Sequence, residues 1–386
     1  MRSVEVVVVG AGVVGASVAY HLAVRGCESI IVLEREAAPG LGSTGKATGG
    51  FRAQFSSETN VRLSLLAREK LLCFEEELGV DSGYRPCGYL FLAESEAQLG
   101  ALREAQSVQR AAGLDEAREV GLTEIQEINP AVRLDGLVGG VLCPTDGFLR
   151  PMEILRGYVA GAERLGVRFE YGTGCEGFEL DGSRISAVRT PEGDLAAGSV
   201  VNAAGAWAAS VAREAGLDLP VVPLRRQAAI TEPFDVLPED MPMTIFAGDW
   251  FHLRVRDGRV MLLLPDEPDV SDPFDQSLEE VWIESVIETA RSRVPCLEGA
   301  AIDREGCWAG LYEMSPDGHA LLGRAPETEN LYLANGSSGH GVMHAPALGH
   351  LLAEIILDGN TSTPEAHALR PSRFAENEPN LAPTLL

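Results

Sequence analysis

The 386-residue sequence has almost no lysine and little positive charge of any kind. Lysine and arginine total 31 against 57 aspartates and glutamates, only Lys46 and Lys70 are lysines, and the formal net charge is −26. Nucleic acid and anionic lipid would repel so acidic a chain, so neither is expected as a partner. No apolar run approaches the roughly 20 residues that a membrane span needs. The sequence therefore predicts no membrane partner and favours a small-molecule substrate.

The seven cysteines are scattered, odd in number, and form no Cys-x-x-Cys pair. This pattern predicts neither a disulfide framework nor a zinc site, and no metal is expected. The apolar stretch 4–9 leads directly into a glycine turn, so it is interpreted as part of the fold and not as a targeting peptide. Together these features predict a cytoplasmic protein.

A strand, a glycine-rich turn, a helix and a second strand ending on an acid are predicted within the first 34 residues. The run Val4–Val9 is typical of a buried parallel strand. Gly10, Gly12 and Gly15 form the G-x-G-x-x-G pattern, which lets a helix N-terminus approach a pyrophosphate. Glu34 ends the next strand, where its carboxylate can bind a ribose hydroxyl. An ordinary βαβ unit is the alternative, but the whole arrangement predicts a bound dinucleotide.

Three further glycine turns favour FAD over a nicotinamide cofactor. They lie at 43–46, 202–207 and 336–341, and the last two stand between a strand and a helix. Each turn alone is also typical of a structural strand–helix junction. Occurring together, they suit a larger cofactor, and a helix N-terminus near the flavin would stabilise its reduced anion. The alternative, an NAD(P)-dependent enzyme, fails if the purified protein is yellow.

The predicted fold class is α/β plus an antiparallel sheet: a Rossmann-like FAD-binding domain with an inserted antiparallel β-sheet substrate domain. Strands at 224–231, 250–255 and 260–264 indicate the antiparallel part, and residues 375–386 are predicted to form a loose tail. The predicted FAD-binding domain is discontinuous and comprises 1–84, 145–215 and 313–386, and the predicted substrate domain comprises 85–144 and 216–312.

The sequence resembles the flavin-dependent amine and amino-acid oxidoreductases that include D-amino-acid oxidase, glycine oxidase and sarcosine oxidase. It is most similar to the sarcosine oxidases and their β-subunit-like proteins. The resemblance rests on GAGVVGAS with Glu34, STGKATGGFRAQF, VVNAAGAW, WAGLYEMSPDGHALLG and NGSSGHGVMHAPALG. It implies FAD roofed by an antiparallel sheet, and hydride transfer from an amine-bearing carbon to flavin N5. The product would be an imine that water hydrolyses.

The resemblance also implies three catalytic residues. Arg52 matches an arginine that clamps the substrate carboxylate, which a planar guanidinium can grip with two hydrogen bonds; the alternative is a structural arginine. Tyr312 replaces a carboxylate-binding arginine of glycine oxidase, and it could bind substrate or simply pack. His340 lies in the intact family loop and is expected to contact flavin or orient the loop, not to act as a base.

Two replacements change what the resemblance implies about the cofactor and the carboxylate. Gly310 stands where monomeric sarcosine oxidases carry the cysteine that bonds flavin, so FAD is predicted to bind non-covalently. Cys307, three residues earlier, is expected to be a buried thiol. Met343 replaces a lysine that assists carboxylate binding, which leaves recognition more dependent on Arg52. The residues expected to contact the cofactor are Gly10, Gly12, Val13, Val14, Gly15, Glu34, Arg35, Ser43, Thr44, Lys46, Gly49, Gly50, Cys175, Ala204, Gly205, Trp207, Gly310, Gly339, His340, Gly341 and Met343.

The sequence leaves the substrate and the oxidant open. A neutral amine can deliver hydride without a dedicated base, so the site must mainly orient and desolvate it. His252 and Arg254 either line the cavity or face solvent. Residues 220–312 contain no lysine, and relatives that use oxygen favour a lysine near flavin N5, so a dehydrogenase, or a slow oxidase with a separate electron acceptor, is preferred. The other class is a flavoprotein active only as a subunit of a heteromeric complex. Candidate substrates are sarcosine, dimethylglycine, proline, glycine and a D-amino acid.

Overall fold

The structure is a computed structural model that describes residues 2–267, 271–361, 363 and 365–380. The predicted loose tail is attached as far as Asn380, whose backbone N–H donates to Asp317 at 2.9 Å and whose amide donates to Ala368 O at 2.7 Å. The remainder of that tail, 381–386, lies outside the described residues.

The strands form two large sheets and one small ribbon. In chain order they are β1 (Arg2–Val9), β2 (Ile30–Glu34), β3 (Gly50–Phe51), β4 (Tyr89–Ala93), β5 (Arg118–Val120), β6 (Gly139–Cys143), β7 (Gly147–Phe148), β8 (Arg168–Tyr171), β9 (Gly177–Asp181), β10 (Arg184–Arg189), β11 (Leu195–Asn202), β12 (Val222–Ile230), β13 (Met243–Phe246), β14 (His252–Arg256), β15 (Arg259–Leu263), β16 (Trp308–Met314), β17 (Leu321–Arg324) and β18 (Leu331–Asn335).

The helices alternate with these strands. They are α1 (Val13–Val24), α2 (Glu58–Leu72), α3 (Phe74–Leu78), α4 (Glu96–Ala111), α5 (Leu122–Ile128), α6 (Pro151–Arg164), α7 (Ala208–Arg213), α8 (Glu280–Arg293), α9 (Gly341–Asp358) and α10 (Glu365–Ala368), with short 3-10 turns at Gly205–Trp207, Pro295–Gly299 and Pro371–Arg373.

The first large sheet has the parallel centre that the opening glycine motif predicts. Its order is β17-β18-β11-β1-β2-β8, and β10 and β9 extend it from β11. The pairs β18–β11, β11–β1, β1–β2 and β2–β8 are parallel. The apolar strands β1, β2, β11 and β18 contribute side chains to a buried cluster on each face of the sheet. The predicted Rossmann-like α/β fold is therefore confirmed.

The second large sheet has the order β16-β12-β15-β14-β13-β4-β6-β5. Its pairs are antiparallel except β13–β4, which is parallel, so this sheet is mixed where the sequence predicted antiparallel strands alone. Helix α8 packs on it through Trp282, Ile283 and Val286. The two large sheets draw their strands from the segments assigned to the two predicted domains, although β16 crosses the predicted boundary at 312; the domain division itself stays a prediction.

Serine side chains cap the N-termini of two helices. The Ser57 and Ser95 side chains accept from Asn60 N and Gln98 N, which caps α2 and α4. The helical segment that begins at Glu58 divides at Cys73 into α2 and α3.

Helices α1 and α9 pack closely against each other, and their N-termini lie beside the same cavity. A Cβ on Gly349 would lie 2.2 Å from Ser17 Oγ, so only glycine lets the helices approach this closely. The Ser17 hydroxyl also donates to Ala345 O at 2.8 Å. Because both helices begin near the sheet's carboxyl edge, their positive ends point toward the cavity described next.

Candidate functional site

A cavity of about 860 Å³ is lined by both large sheets. Val9 and Leu33 line it from the first sheet, and Tyr89 and His252 line it from the second. This volume is within the usual range for a cofactor or ligand pocket.

The structure brings together nearly all of the residues that the sequence singled out. The exception is Gly15, which lies behind the cavity wall and packs helix α1 against the turn: its Cβ would be 2.0 Å from Gly10 O. The predicted residues that line the cavity are Gly10, Gly12, Val13, Val14, Glu34, Arg35, Ser43, Thr44, Lys46, Gly49, Gly50, Arg52, Cys175, Ala204, Gly205, Trp207, Gly310, Tyr312, Gly339, His340, Gly341 and Met343.

The glycines of the first turn differ in what they do. Gly10 has a φ of +105°, and a Cβ there would lie 2.5 Å from Ala203 O, so the turn itself requires glycine. At Gly12, which has a φ of −70°, a Cβ would meet only Thr44 Oγ1 at 3.4 Å. The protein therefore has room for a Cβ at Gly12, and the backbone surface that this glycine leaves clear faces the cavity.

Glu34 and Arg35 end strand β2 at the cavity wall. The Glu34 carboxylate accepts from Ala11 N at 2.9 Å and from Glu36 N at 3.0 Å. The Arg35 guanidinium lies 3.7 Å above the Trp207 ring, which stacks on Phe274 with 5.6 Å between the ring centroids. Glu34 thus supports the glycine turn and still faces the cavity, where its oxygens can accept from a ribose hydroxyl.

The 43–46 loop is tied to helix α1 and to strand β16. The Thr44 hydroxyl accepts from Val13 N at 3.1 Å at the start of α1, and Ser43 Oγ donates to Leu311 O at 2.7 Å. The Lys46 ammonium donates to Gln276, and burial lowers its pKa. A Cβ on Gly310 would lie 3.1 Å from Lys46 Cβ, so the lysine stem occupies the space over this glycine.

The 336–341 loop leaves buried polar atoms without partners at the N-terminus of α9. Ser337 N donates to Glu313 Oε1 at 3.2 Å, while Ser337 Oγ and Glu313 Oε2 have no partner among the described residues. Ser338 adopts a φ of +49°, a left-handed conformation that is uncommon outside glycine. Unpaired donors and acceptors beside a helix N-terminus suit a ligand that carries both, as an isoalloxazine ring does.

These features fit FAD. The cavity has two helix N-termini, a clear backbone surface at Gly12, an acceptor at Glu34 and unpaired polar atoms at Ser337 and Glu313. Within the described part of the chain, no group of three or more histidine, cysteine or acidic side chains is arranged to hold a metal ion. No helix of the described residues is long and apolar enough to cross a bilayer.

Arg52 is a cation in the cavity wall without a carboxylate partner among the described residues. Its Nη1 donates to Gln54 O, its Nη2 donates to His340 Nε2 at 3.4 Å, and its guanidinium lies 3.9 Å over the Phe55 ring. Burial lowers its pKa, while nearby Tyr89 and Asp146 raise it. A half-buried guanidinium with free donors that lines a cavity is suited to a carboxylate ligand.

Tyr312 and His340 lie beside this arginine. The Tyr312 ring packs on Gly339, where a Cβ would lie 2.4 Å from Cε2, yet the residue is 39 % exposed because it faces the open cavity. The protein atoms that surround the cavity still desolvate its hydroxyl, which raises the pKa of Tyr312. For His340, burial and then the charge of Arg52 hold the pKa well below 6.5, so its imidazole is neutral.

The two sheet-strand residues that the sequence left open have different surroundings. His252 lines the cavity, and its Nδ1 is 2.7 Å from Trp250 O. Arg254 is buried and donates from Nη1 to both Thr48 O and Gly49 O at 3.0 Å. Arg254 thus joins the second sheet to the loop that leads to Arg52.

Sequence reasoning missed several residues of the site. Tyr89, Phe91 and Trp250 line the cavity, but their aromatic–apolar runs also suit any buried strand. Glu313 lies in the cavity wall, and burial raises its pKa. Asp146 is fully buried behind Arg52; its Thr-Asp-Gly context indicated only a turn.

Comparison with known proteins identifies the family. The profile of the family described as FAD dependent oxidoreductase matches residues 5–355. The chain belongs to this family. FAD is accordingly its cofactor, and its chemistry is that of an FAD-dependent amine or amino-acid oxidoreductase.

Individual relatives of this FAD-dependent oxidoreductase cover most of the chain. The L-proline dehydrogenase structure from P. horikoshii is 30 % identical, with a TM-score of 0.90, covering 98 % of this chain and 99 % of that one. FAD-dependent oxidoreductase domain-containing protein 1 of Xenopus laevis is 29 % identical, over 98 % of this chain and 84 % of that protein. Mouse mitochondrial sarcosine dehydrogenase is 29 % identical over 92 % of this chain, which spans only 40 % of that protein. These comparisons do not favour a role only as an assembly partner.

Proposed function

We propose that this FAD-dependent oxidoreductase oxidises a small amino acid whose carboxylate binds Arg52. The observation that supports this most strongly is the Arg52 guanidinium, which lines the cavity and has no carboxylate partner among the described residues. A half-buried charge in a cavity that a substrate fills loses water when the substrate binds, so a substrate carboxylate would pair with it and complete the site.

The surrounding side chains suit a neutral amine. When bound, FAD would supply the oxidising chemistry, that of a hydride acceptor for the carbon that bears the nitrogen. His252 and His340 both have pKa values lowered mainly by burial, so neither adds positive charge near neutral pH. Tyr89, Phe91 and Trp250 give the wall an aromatic surface that excludes water and orients the substrate.

The proposed substrate is a secondary or N-methylated amino acid. This proposal draws on the printed activities of relatives that cover most of this chain, which include L-proline dehydrogenase and the sarcosine and dimethylglycine dehydrogenases. The cavity suits a substrate that has one carboxylate, to pair with Arg52, and an otherwise apolar body, to lie against the aromatic side chains. We further propose an electron acceptor other than oxygen, because residues 220–312 contain no lysine.

We propose, from the pattern of its cysteines, that the protein works in a reducing compartment, the cytoplasm. All seven cysteines are free thiols, and those at 27, 143 and 307 are buried. Buried, unpaired thiols are typical of proteins kept under reducing conditions. Since the mouse sarcosine dehydrogenase is mitochondrial, cell fractionation followed by detection of the native protein would decide between the two compartments.

Anaerobic mixing tests the proposed reaction. Purified holoenzyme is mixed with L-proline, sarcosine, dimethylglycine, glycine and D-alanine, and the flavin absorbance near ~450 nm, a property of the cofactor, is followed. We expect one secondary or N-methylated amino acid to bleach the flavin. If a fully flavinated protein bleaches with none of them, the proposed function is wrong.

A further inference from the structure

Asp146 is a fully buried carboxylate that lies directly behind the Arg52 segment. It is in the turn between β6 and β7 and is 0 % exposed. Its Oδ1 accepts from Ala53 N at 2.7 Å, and its Oδ2 accepts from Gln54 Nε2 at 3.0 Å. Each carboxylate oxygen therefore accepts a hydrogen bond from one of the two residues that immediately follow Arg52.

Gln54 connects this carboxylate to the arginine. Its side-chain amide also donates to Tyr89 O at 3.1 Å, so the residue is fixed from two sides. Its backbone carbonyl in turn accepts from Arg52 Nη1. The orientation of the guanidinium thus depends on a carbonyl whose position Asp146 sets.

We propose that Asp146 is a positioning residue that holds the Arg52 guanidinium in the orientation that binds the substrate carboxylate. This inference rests on the proposed function, because it assigns to Asp146 a part in the carboxylate site of that same cavity. Asp146 does not touch the cavity itself; it acts through Ala53 and Gln54.

An ionised carboxylate is needed because both of its oxygens accept hydrogen bonds. An asparagine at this position would offer one acceptor, and its NH₂ group would face an N–H donor. A protonated carboxyl has the same defect, since one oxygen would then carry a hydrogen. Either change leaves Ala53 N or Gln54 Nε2 without its partner and loosens the Arg52 segment.

This requirement gives carboxylate binding a dependence on pH. Burial raises the pKa of Asp146 to about 6, although the hydrogen bonds from Ala53 and Gln54 oppose the shift. Asp146 is therefore ionised above pH 6 and becomes protonated as the pH falls through that value. Carboxylate affinity should decrease over the same range.

Other titratable groups around Asp146 do not reproduce this behaviour. Burial raises the pKa of Tyr84 to about 12 and of Cys143 to about 12, and it raises that of Tyr89 further. Arg52 stays charged throughout. Protonation of His252, which also faces Arg52, would add positive charge at low pH and strengthen carboxylate binding, so its effect would be opposite to that of Asp146. His340, which accepts from Arg52, has a pKa held well below 6.5 by burial and by Arg52, so it carries no charge near pH 6.

The test measures binding of pyrrole-2-carboxylate to the holoenzyme, with pyrrole-2-carboxamide as the uncharged match. Neither probe has a basic amine, so the pH dependence reports the protein. Binding is followed by the change in flavin absorbance from pH 5 to pH 8 for the wild type, Asp146→Asn and Asp115→Asn, the last being an exposed control. At pH 8 we expect Asp146→Asn to bind the carboxylate about three- to tenfold more weakly, with carboxamide binding unchanged.

The pH profile separates a positioning role from a structural one. The wild type should lose carboxylate affinity below pH 6, and Asp146→Asn should show no such loss. If the carboxylate affinity of the wild type does not change with pH, the inference is wrong, even if Asp146→Asn fails to fold. The inference is also wrong if a folded Asp146→Asn binds the carboxylate as tightly as the wild type does. Arg52→Gln distinguishes the two proposals: if it binds the carboxylate as well as the wild type does, the proposed function fails as well.

Discussion

Arg52 donates a hydrogen bond from Nη2 to His340 Nε2 across 3.4 Å. Because a guanidinium has no acceptor, His340 must accept at Nε2 and carry its single proton on Nδ1. This tautomer is neutral, in agreement with a pKa that burial and Arg52 hold well below 6.5. The histidine thus orients the arginine and is not available as a proton acceptor at Nε2 while this bond is made.

The neutral state of His340 predicts a simple pH profile. Between pH 7 and pH 10, flavin reduction at limiting amine should rise with pH through one ionisation, that of the substrate ammonium. Anaerobic stopped-flow measurement of the second-order rate constant checks this. His340→Gln keeps an acceptor for Arg52 and should retain the profile's shape. A second wild-type ionisation that disappears in His340→Gln would show that the histidine titrates.

The two glycines of the first turn should respond differently to alanine. Gly12→Ala should fold with an unchanged melting temperature without flavin, because its Cβ meets only Thr44 Oγ1 at 3.4 Å. Its FAD affinity should fall about tenfold or more, since the close approach of a pyrophosphate is blocked.

Gly10→Ala is the matched comparison. Its φ of +105° and a Cβ placed 2.5 Å from Ala203 O should lower the melting temperature by several degrees even without flavin, at a cost of about 1–3 kcal/mol for the backbone strain alone. Calorimetry and flavin titration measure both effects. Equal effects of the two substitutions on apoprotein stability would contradict the assignment of Gly12 to the cofactor surface.

FAD should be released when the protein is denatured. Gly310 has no side chain to bond the flavin, and Cys175, which lines the cavity, has a pKa raised by burial to about 11, so its thiol is not ionised. Acid precipitation should therefore leave the flavin absorbance in the supernatant. A yellow pellet would contradict this, and comparison with Cys175→Ser would show whether that cysteine is the attachment point.

Oxygen should reoxidise the reduced enzyme slowly. After anaerobic reduction, we expect dichlorophenolindophenol to restore the flavin absorbance much faster than air does, because residues 220–312 provide no lysine. Lys46→Met should leave this ratio unchanged, since the Lys46 ammonium is bonded to Gln276. Rapid reoxidation in air that Lys46→Met abolishes would assign oxygen activation to Lys46.

The sequence predicted the parts of the site that local pattern determines. The strand, glycine turn, helix and acid from Val4 to Glu34 are contiguous, so their spacing already indicates a nucleotide site. Lys46 shows what local pattern does not determine. The sequence indicated its loop, but the lysine packs over Gly310, which is 264 positions away in the chain.

The missed features all depend on distant pairing. Asp146 contacts Ala53 across 93 positions, and nothing near a Thr-Asp-Gly turn indicates that partner. The parallel pair β13–β4 was missed for the same reason, since Met243 aligns with Tyr89. Glu313 reaches the cavity only because β16 places it there. Such contacts arise from the fold as a whole and leave no periodic trace in the sequence.

The most direct test of the account compares two substrates in two proteins under anaerobic conditions. The amino acid that best bleaches the flavin and the amine lacking its carboxylate are each mixed with the wild type and with Arg52→Gln, with Arg110→Gln as an exposed control. We predict that Arg52→Gln lowers the second-order rate of flavin reduction by the amino acid roughly 10- to 150-fold and leaves the rate with the amine unchanged. Equal losses with both substrates, or no loss with either, would contradict carboxylate binding by Arg52.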